Sequence, residues 1–269
     1  MIKTFFKLLA IILLFSITNC SNNLKINNNN QVIKTDPPHI LYNEAMMKMD
    51  DAKYEEALLK FNEIYNKYPL SNEAIQSKIM IGFINYLQLN YIEAINIFNT
   101  IIIKYPSHKN IDYVYYIRAM CFFEQIEDES LDGTNNLKAL DNFNQIIKRF
   151  PDSKYSRDSE QKIIFVKENI AAKHMNIALF YHKQKNYLAA LNRYKIVIDD
   201  FSKTKFTPEA LHRLVEIYHI LGMTSDANKT AAVLAYNYPK SKWYKYTYSL
   251  INDEKKKKSI KNKFLDFIN

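Results

Sequence analysis

Small, aromatic and branched apolar residues recur along the chain at the spacings of one helical face. A small residue is followed after four positions by an aromatic residue or Ala, after three more by Ile, Val or Leu, and after five more by Pro. Spacings of four and three share one face of an α-helix, and Pro then ends the helix because it lacks a backbone N–H. The five copies are Ala57, Phe61, Ile64, Pro69; Ala94, Phe98, Ile101, Pro106; Ala139, Phe143, Ile146, Pro151; Ala190, Tyr194, Val197, with Ser202 in place of Pro; and Ala227, Ala231, Leu234, Pro239.

A second helix is predicted before each of these helices. Twelve residues before the repeat Ala, four copies have another small or medium residue, namely Ala45, Gly82, Ala178 and Val215, where two helices can approach closely. The unit resembles the tetratricopeptide repeat, although the tryptophan of that repeat is absent. The predicted fold is all-α, an α-solenoid of about five tetratricopeptide-like helix–turn–helix repeats, whose stacked units bury each other's apolar faces and leave a groove for peptides or helices.

Successive repeat Ala residues are 37, 45, 51 and 37 positions apart, and these distances indicate where the repeat domain contains insertions. The long steps predict an exposed polar loop near 126–136 and a lengthened helical segment over about 153–169. The repeat domain is predicted to span 36–250. Only three glycines occur in the chain, so few turns with positive φ are expected.

The start of the chain is predicted to be a leader over 1–19. Its apolar run over 8–17 is too short to span a membrane and has the length of a signal-peptide core. The run ends at Ile17-Thr18-Asn19-Cys20, which resembles a bacterial lipobox, although Asn19 replaces the usual small residue. The resemblance implies lipidation (palmitate) of Cys20 and, with Ser21 next, an outer-membrane address. An ordinary secretory leader with an incidental Cys is the alternative.

Polar segments flank the predicted repeats. Segment 20–35 is Asn-rich and is predicted to be a flexible tether, because it buries too little apolar surface to fold. Segment 251–269 is a basic C-terminal tail with four lysines at 255–258. It is predicted to be either an amphipathic helix on a partner or an anionic surface, or a frayed end. The net charge of +9 reflects either general lysine richness or an anionic partner. Because we expect this charge to be spread along the chain and not clustered, we do not expect nucleic acid.

The sequence contains no recognisable catalytic constellation. The scarcity of glycine excludes a Gly-rich phosphate-binding loop, and no nucleophile or metalloprotease motif occurs. The six histidines complete no ligand set at metal spacing. Cys121, in an apolar stretch, is predicted to be a buried and inert thiol. A non-enzymatic protein without cofactor or metal is predicted.

Aromatic residues are densest at Tyr113-Val114-Tyr115-Tyr116. Adjacent helical residues point about 100° apart, so these rings do not all face inward. They belong either to the core or to a groove, and both interpretations stay open here. Because aromatic anchors beside Arg are typical of binding hot spots, we predict that Tyr113, Tyr116 and Arg118 bind a partner.

The segment Asn110-Ile111-Asp112-Tyr113-Val114-Tyr115-Tyr116-Ile117-Arg118 carries a family resemblance. With the lipobox, the Asp36-Pro37-Pro38 start and the five repeats, it resembles the BamD (ComL) family over roughly 36–245. That family supplies the lipoprotein of the outer-membrane β-barrel assembly machine. The resemblance implies a non-enzymatic scaffold that is lipid-anchored on the periplasmic face of the outer membrane. It implies as partners a POTRA-bearing barrel protein, accessory assembly lipoproteins and unfolded outer-membrane precursors.

One pair of residues is carried over from the family to the fourth repeat. Asn192-Arg193 matches an Asn-Arg pair of the family, and the resemblance implies that Arg193 contacts a POTRA domain. A solvated surface Arg is the alternative. Ala119 departs from the family's usual Gly, and the insertion near 126–136 lacks the family's Asp-Arg-rich stretch. Other functions left open are an envelope repeat lipoprotein of pilus assembly or secretin targeting, and a peptidoglycan-associated factor.

Overall fold

The computed structural model describes residues 36–126 and 133–252, which are helical with short turns and without strands. The leader, Cys20, the tether, residues 127–132 and the tail beyond residue 252 lie outside the described residues. The helices are α1 (Pro38–Asp50), α2 (Tyr54–Lys67), α3 (Asn72–Leu87), α4 (Tyr91–Lys104), α5 (Ile111–Phe123), α6 (Thr134–Arg149), α7 (Lys154–Lys183), α8 (Tyr187–Asp200), α9 (Thr207–Ile220) and α10 (Thr224–Asn237). Residues 242–252 form the described part of a further helix, α11.

The helices pack as consecutive hairpins. Each helix contacts the next one in the chain, which pairs α1 with α2, α3 with α4, α5 with α6, α7 with α8, and α9 with α10. The first helices of neighbouring hairpins also touch, α1 with α3, α3 with α5, and α5 with α7. Units that contact their neighbours in chain order make up an α-solenoid. The predicted fold class is confirmed.

The repeated residues form the core of the second helix in each hairpin. At the Ala, aromatic and branched positions of the five copies, only Ala231 is partly exposed, whereas the Pro positions and Ser202 that follow the helices are exposed. The fully buried members, with 0% exposure, are Ala57, Phe61, Ile64, Ala94, Phe98, Ile101, Ala139, Phe143, Ile146, Ala190, Tyr194, Val197 and Leu234. The predicted helical face is therefore the buried face.

Small residues in the first helices allow the close approach that the sequence predicted. A Cβ atom added at Gly82 would lie 2.6 Å from Cε1 of Phe98 and 3.1 Å from Cγ2 of Ile97. Ala45 and Ala178 are also fully buried. Ala119 lies thirteen residues after Pro106, as Gly82 does after Pro69, and it is 0% exposed. The spacing of twelve misses Ala119 because the insertion separates it from the repeat Ala.

All five second helices end with the same cap geometry. The cap residue is aromatic and lies outside both the α-helical and the extended regions, with φ between −126° and −133° and ψ between 33° and 57°. Its N–H donates to the carbonyl four residues earlier. Pro at the next position favours this conformation because it disfavours the α region in the residue before it. Phe201 adopts the cap before Ser202, so the aromatic cap does not require Pro.

The turn inside most hairpins has one residue with positive φ. Ala52 (φ 58°), Leu89 (φ 63°), Lys185 (φ 59°) and Gly222 (φ 73°) each lie two residues before the second helix begins. The expectation that few such turns occur was wrong, since three non-glycine residues adopt this conformation. Repeat packing outweighs the roughly 1–2 kcal/mol that the left-handed region costs an ordinary residue.

Helix α7 explains the longest repeat step. It is 30 residues long and begins after the N-cap Ser153, whose hydroxyl accepts from the N–H of Tyr155. The predicted lengthening over 153–169 is part of this helix. The predicted loop near 126–136 was wrong at its far end, because α6 begins at Thr134. Asn136 is only 5% exposed there.

Candidate protein-binding surfaces

Five aromatic side chains form a continuous strip across the first helices of three hairpins. This aromatic strip consists of Phe83 and Tyr86 on α3, Tyr113 and Tyr116 on α5, and Tyr155 on α7, and every member is partly exposed. Ring centroids lie 6.1 Å apart for Phe83 and Tyr86, and 6.2 Å apart for Phe83 and Tyr113. Tyr155 lies 5.5 Å from Tyr113 and stacks on Tyr116 at 4.9 Å.

Two hydroxyls of the aromatic strip are held by carboxylates. Tyr116 donates to Oδ2 of Asp158 at 2.6 Å, and Tyr86 donates to Oε1 of Glu124 at 3.3 Å. Burial, followed by the charge of Glu124, raises the pKa of Tyr86 to about 12. Burial also raises the pKa of Tyr113 and Tyr116 above the usual value. The rings are therefore neutral and oriented, and they expose apolar edges to solvent at little further entropic cost.

Tyr115 and Arg118 lie on another side of α5. Tyr115 is 4% exposed, and the guanidinium carbon atoms of Arg118 and Arg149 lie 5.0 and 5.3 Å from the centroid of its ring. Arg149 also donates to the Tyr115 hydroxyl. Such cation–π contacts hold the two arginines against the core.

Arg118 links the second helices of repeats two and three. It donates from Nη1 to Asn99 on α4 at 2.7 Å and from Nη2 to Gln145 on α6 at 3.3 Å. Burial lowers the pKa of its guanidinium. Because both terminal nitrogens already bond within the repeats, a partner contact by Arg118 stays a prediction.

Arg193 on α8 lies in a pocket of about 240 Å³. Its Nη1 donates to Nδ1 of His174 on α7 at 3.4 Å. Burial and the charge of Arg193 lower the pKa of His174, so the ring is neutral at pH 7 and accepts this hydrogen bond. The pocket lining includes the apolar side chains of Leu137, Ile170 and Ile177. Within residues 36–126 and 133–252, no carboxylate forms an ion pair with Arg193.

The predicted binding residues therefore fall into separate places. Tyr113 and Tyr116 share the aromatic strip, and Arg118 lies between second helices. Exposed Asn192 stands next to partly exposed Arg193 on α8. Sequence reasoning missed Phe83, Tyr86 and Tyr155. The spacing of three between Phe83 and Tyr86, which Tyr113 and Tyr116 repeat in the next first helix, was the signal that could have found two of them.

Cys121 is buried with 0% exposure, and burial raises the pKa of its thiol to about 12, as expected for an inert thiol. No cluster of three or more His, Cys, Asp or Glu suited to a metal ion occurs in the described part of the chain. None of the helices within 36–126 and 133–252 combines the length and apolar character needed to cross a membrane.

The helical hairpins and the partly exposed strip define a repeat protein of the tetratricopeptide class. Residues 34–248 match the model of the YfiO family, described as outer membrane lipoprotein. The chain belongs to this family, which confirms the resemblance to BamD.

Two curated relatives are both named outer membrane protein assembly factor BamD. The protein of Rickettsia prowazekii is 39% identical over 217 residues, which cover 81% of this chain and 86% of the relative. The protein of Caulobacter vibrioides is 34% identical over 244 residues, which cover 91% of this chain and 79% of the relative. A thermophilic TPR protein of Thermus thermophilus is a solved structure with 16% identity and a TM-score of 0.35, covering 79% of this chain and 97% of that one.

Proposed function

We propose that this chain is a non-enzymatic outer membrane protein assembly factor that binds other proteins through two surfaces of its repeats. The observation that carries the proposal is the family match over residues 34–248. The BamD names of relatives that are 39% and 34% identical support the same function. Lipidation of Cys20 would attach the chain to the outer membrane on its periplasmic face.

The first surface is the pocket of Arg193, and its partner is a POTRA domain of the barrel protein. The guanidinium donates to a neutral imidazole and forms no ion pair with a described carboxylate. An Arg bordered by Leu137, Ile170 and Ile177 favours a carboxylate that arrives with apolar neighbours, because a partly dehydrated bidentate pair is stronger than an exposed one. Asn192 would add a hydrogen bond at the rim.

The second surface is the aromatic strip, and its partner is an unfolded segment of a barrel precursor. Rings held by Asp158 and Glu124 offer apolar contact that is already ordered. Barrel precursors alternate apolar and polar residues, so an extended segment would place every second side chain on the strip. Accessory assembly lipoproteins are further expected partners.

Co-purification in mild detergent tests the first surface. Arg193→Glu should lose the POTRA-bearing barrel protein, because truncating one member of a buried charged pair costs about 2–5 kcal/mol and reversal adds repulsion. Arg157→Glu, at an exposed position of α7, is the matched control. Equal recovery of the barrel protein by wild type and Arg193→Glu would remove this residue from the interface. Recovery of a secretin or pilus protein instead would favour one of the alternative functions.

Retention of a denatured barrel precursor tests the second surface. Tyr116→Ser should weaken retention, whereas Tyr236→Ser, at a site that is 87% exposed, should leave it unchanged. If both variants retain the precursor as wild type does, the aromatic strip is not the binding surface. Circular dichroism of both variants verifies that the helices are intact.

A further inference from the structure

Helix α11 is fixed to the last repeat by one face. Trp243 lies 5.3 Å from the ring of His212 and 5.2 Å from the guanidinium carbon of Arg213, both on α9. Nδ1 of His212 is 2.8 Å from the hydroxyl oxygen of Thr247, and Thr247 is 2% exposed. These contacts determine which side of α11 faces outward.

The outward face of α11 combines lysines and tyrosines. Lys242, Lys245, Tyr246, Tyr248 and Ser249 are exposed, with Tyr246 at 54% and Tyr248 at 59%. At 100° per residue these positions span an arc of about 160°. We call them the basic aromatic face. The ammonium nitrogen of Lys242 also lies 4.8 Å from the centroid of the Trp243 ring, a cation–π contact that holds this positive charge beside the exposed tyrosines.

The positive charge of the chain is concentrated in the C-terminal part of the sequence, which includes the residues of this face. Residues 238–269 contain nine lysines, no arginine and three acidic residues, and so carry six of the nine net positive charges of the chain. The expectation that the charge is evenly spread was therefore wrong. In the described part of the chain, no carboxylate forms an ion pair with Lys240, Lys242 or Lys245.

We propose that the basic aromatic face docks on a membrane surface of anionic lipid headgroups. Clusters of lysines on or beside an amphipathic helix are attracted to such headgroups, and tyrosines settle at the interface between water and lipid. An acidic protein is the competing partner. Protein interfaces are depleted in Lys and enriched in Arg, because the planar guanidinium of Arg binds a carboxylate through two parallel hydrogen bonds. Residues 238–269 contain no Arg, which favours a membrane surface with diffuse negative charge over an acidic protein.

The proposal predicts binding to anionic vesicles that does not depend on an acyl chain. A chain beginning at Ser21 keeps every described residue and carries no lipid, so its result is independent of the function of Arg193 and Cys20. It should sediment with vesicles of phosphatidylcholine and phosphatidylglycerol but not with phosphatidylcholine alone. High salt should release it, because screening weakens exposed charges.

Two variants locate the binding. Lys242→Gln with Lys245→Gln should lower the partition coefficient about 30-fold, which corresponds to roughly 1 kcal/mol for each lysine near the surface. Tyr248→Ser should lower it while leaving the helical circular dichroism unchanged. Lys104→Gln with Lys109→Gln, at two exposed positions of another repeat, is the matched control and should bind as wild type does.

Three results would overturn the proposal. They are equal sedimentation with neutral and anionic vesicles, equal partition of wild type and the Lys242→Gln, Lys245→Gln variant, and retention on polyglutamate without sedimentation on anionic vesicles. The last result would assign the face to an acidic protein.

Discussion

Adding one methyl group at Gly82 probes the closest approach between α3 and α4. The new Cβ would lie 2.6 Å from Cε1 and 2.9 Å from Cζ of Phe98, where ordinary contact begins at 3.4 Å. The ring must therefore move by about 0.8 Å. Phe98 is 0% exposed and lies in a core at close-packed density, so the ring has no free space to enter.

Two opposing effects set the size of the change in stability. Overpacking a core costs about 1–3 kcal/mol, and the clash with a buried ring belongs at the upper end of that range. Replacing Gly by Ala inside a helix contributes about 1 kcal/mol in the other direction. We therefore expect Gly82→Ala to lower the free energy of unfolding by about 1–2 kcal/mol.

Urea denaturation followed by circular dichroism measures this change. The double variant Gly82→Ala with Phe98→Leu removes the clashing ring atoms, so the two substitutions should be less destabilising together than the sum of their separate effects. Residues in direct contact give such coupling energies, about 0.5–3 kcal/mol. A Gly82→Ala variant with a higher urea midpoint than wild type would mean that helix propensity outweighs packing, and that the helices do not approach as closely as described.

Three further substitutions test the core, a turn and a partly buried ion pair. Phe98→Ala should lower the free energy of unfolding by roughly 3–5 kcal/mol, and hydrogen exchange should also increase in repeats one and three; a melting temperature equal to that of wild type would contradict this. Leu89→Gly should raise stability by about 0.5–1 kcal/mol, because Leu89 has φ 63° and glycine adopts that conformation without strain; a decrease in the urea midpoint would count against it. Glu216 is partly buried, which raises its pKa, but hydrogen bonds from His212 and Arg213 outweigh this and lower the pKa to about 2. A carboxylate with a lower pKa in the folded state stabilises it above the unfolded pKa and loses this contribution as pH falls, here from about 4.5 to about 2. Glu216→Gln should therefore flatten the fall of the urea midpoint with acid, and identical slopes in both proteins would refute the assignment.

The spacing of the repeated residues was sufficient to predict most of the fold. Positions such as Phe61 and Ile101 could be assigned to the core because the same spacing recurs in every copy and places these residues on one helical face. The positive-φ turn at Lys185 could not be predicted, because local preference opposes it and only packing of the two helices imposes it. The start of α6 at Thr134 was not predicted, because the polar residues around it indicated a loop.

The binding surfaces were predictable only in part, for a related reason. The sequence placed Tyr116 and Arg118 together because they are neighbours along the chain. Residues two apart on a helix point in different directions, so Tyr116 turns toward Asp158 on α7 and Arg118 turns toward Asn99 on α4. The aromatic strip requires contacts between residues 42 positions apart, which a local pattern does not specify.

Helix α7 fixes the relation between the two candidate surfaces. Its first turns supply Tyr155 and Asp158 to the aromatic strip, and its second half supplies His174 beside Arg193. The step of 51 residues exceeds the regular step of 37 by fourteen, which is close to four helical turns. An insertion of nearly whole turns leaves the buried face in phase, and the core of repeats one to three, which includes Val166, continues on the same helix into the core that includes Met175.

Sixteen residues separate Asp158 from His174, a rise of about 24 Å along a continuous helix. A partner that contacts both surfaces must therefore bridge a fixed distance, because this distance could change only if the helix broke.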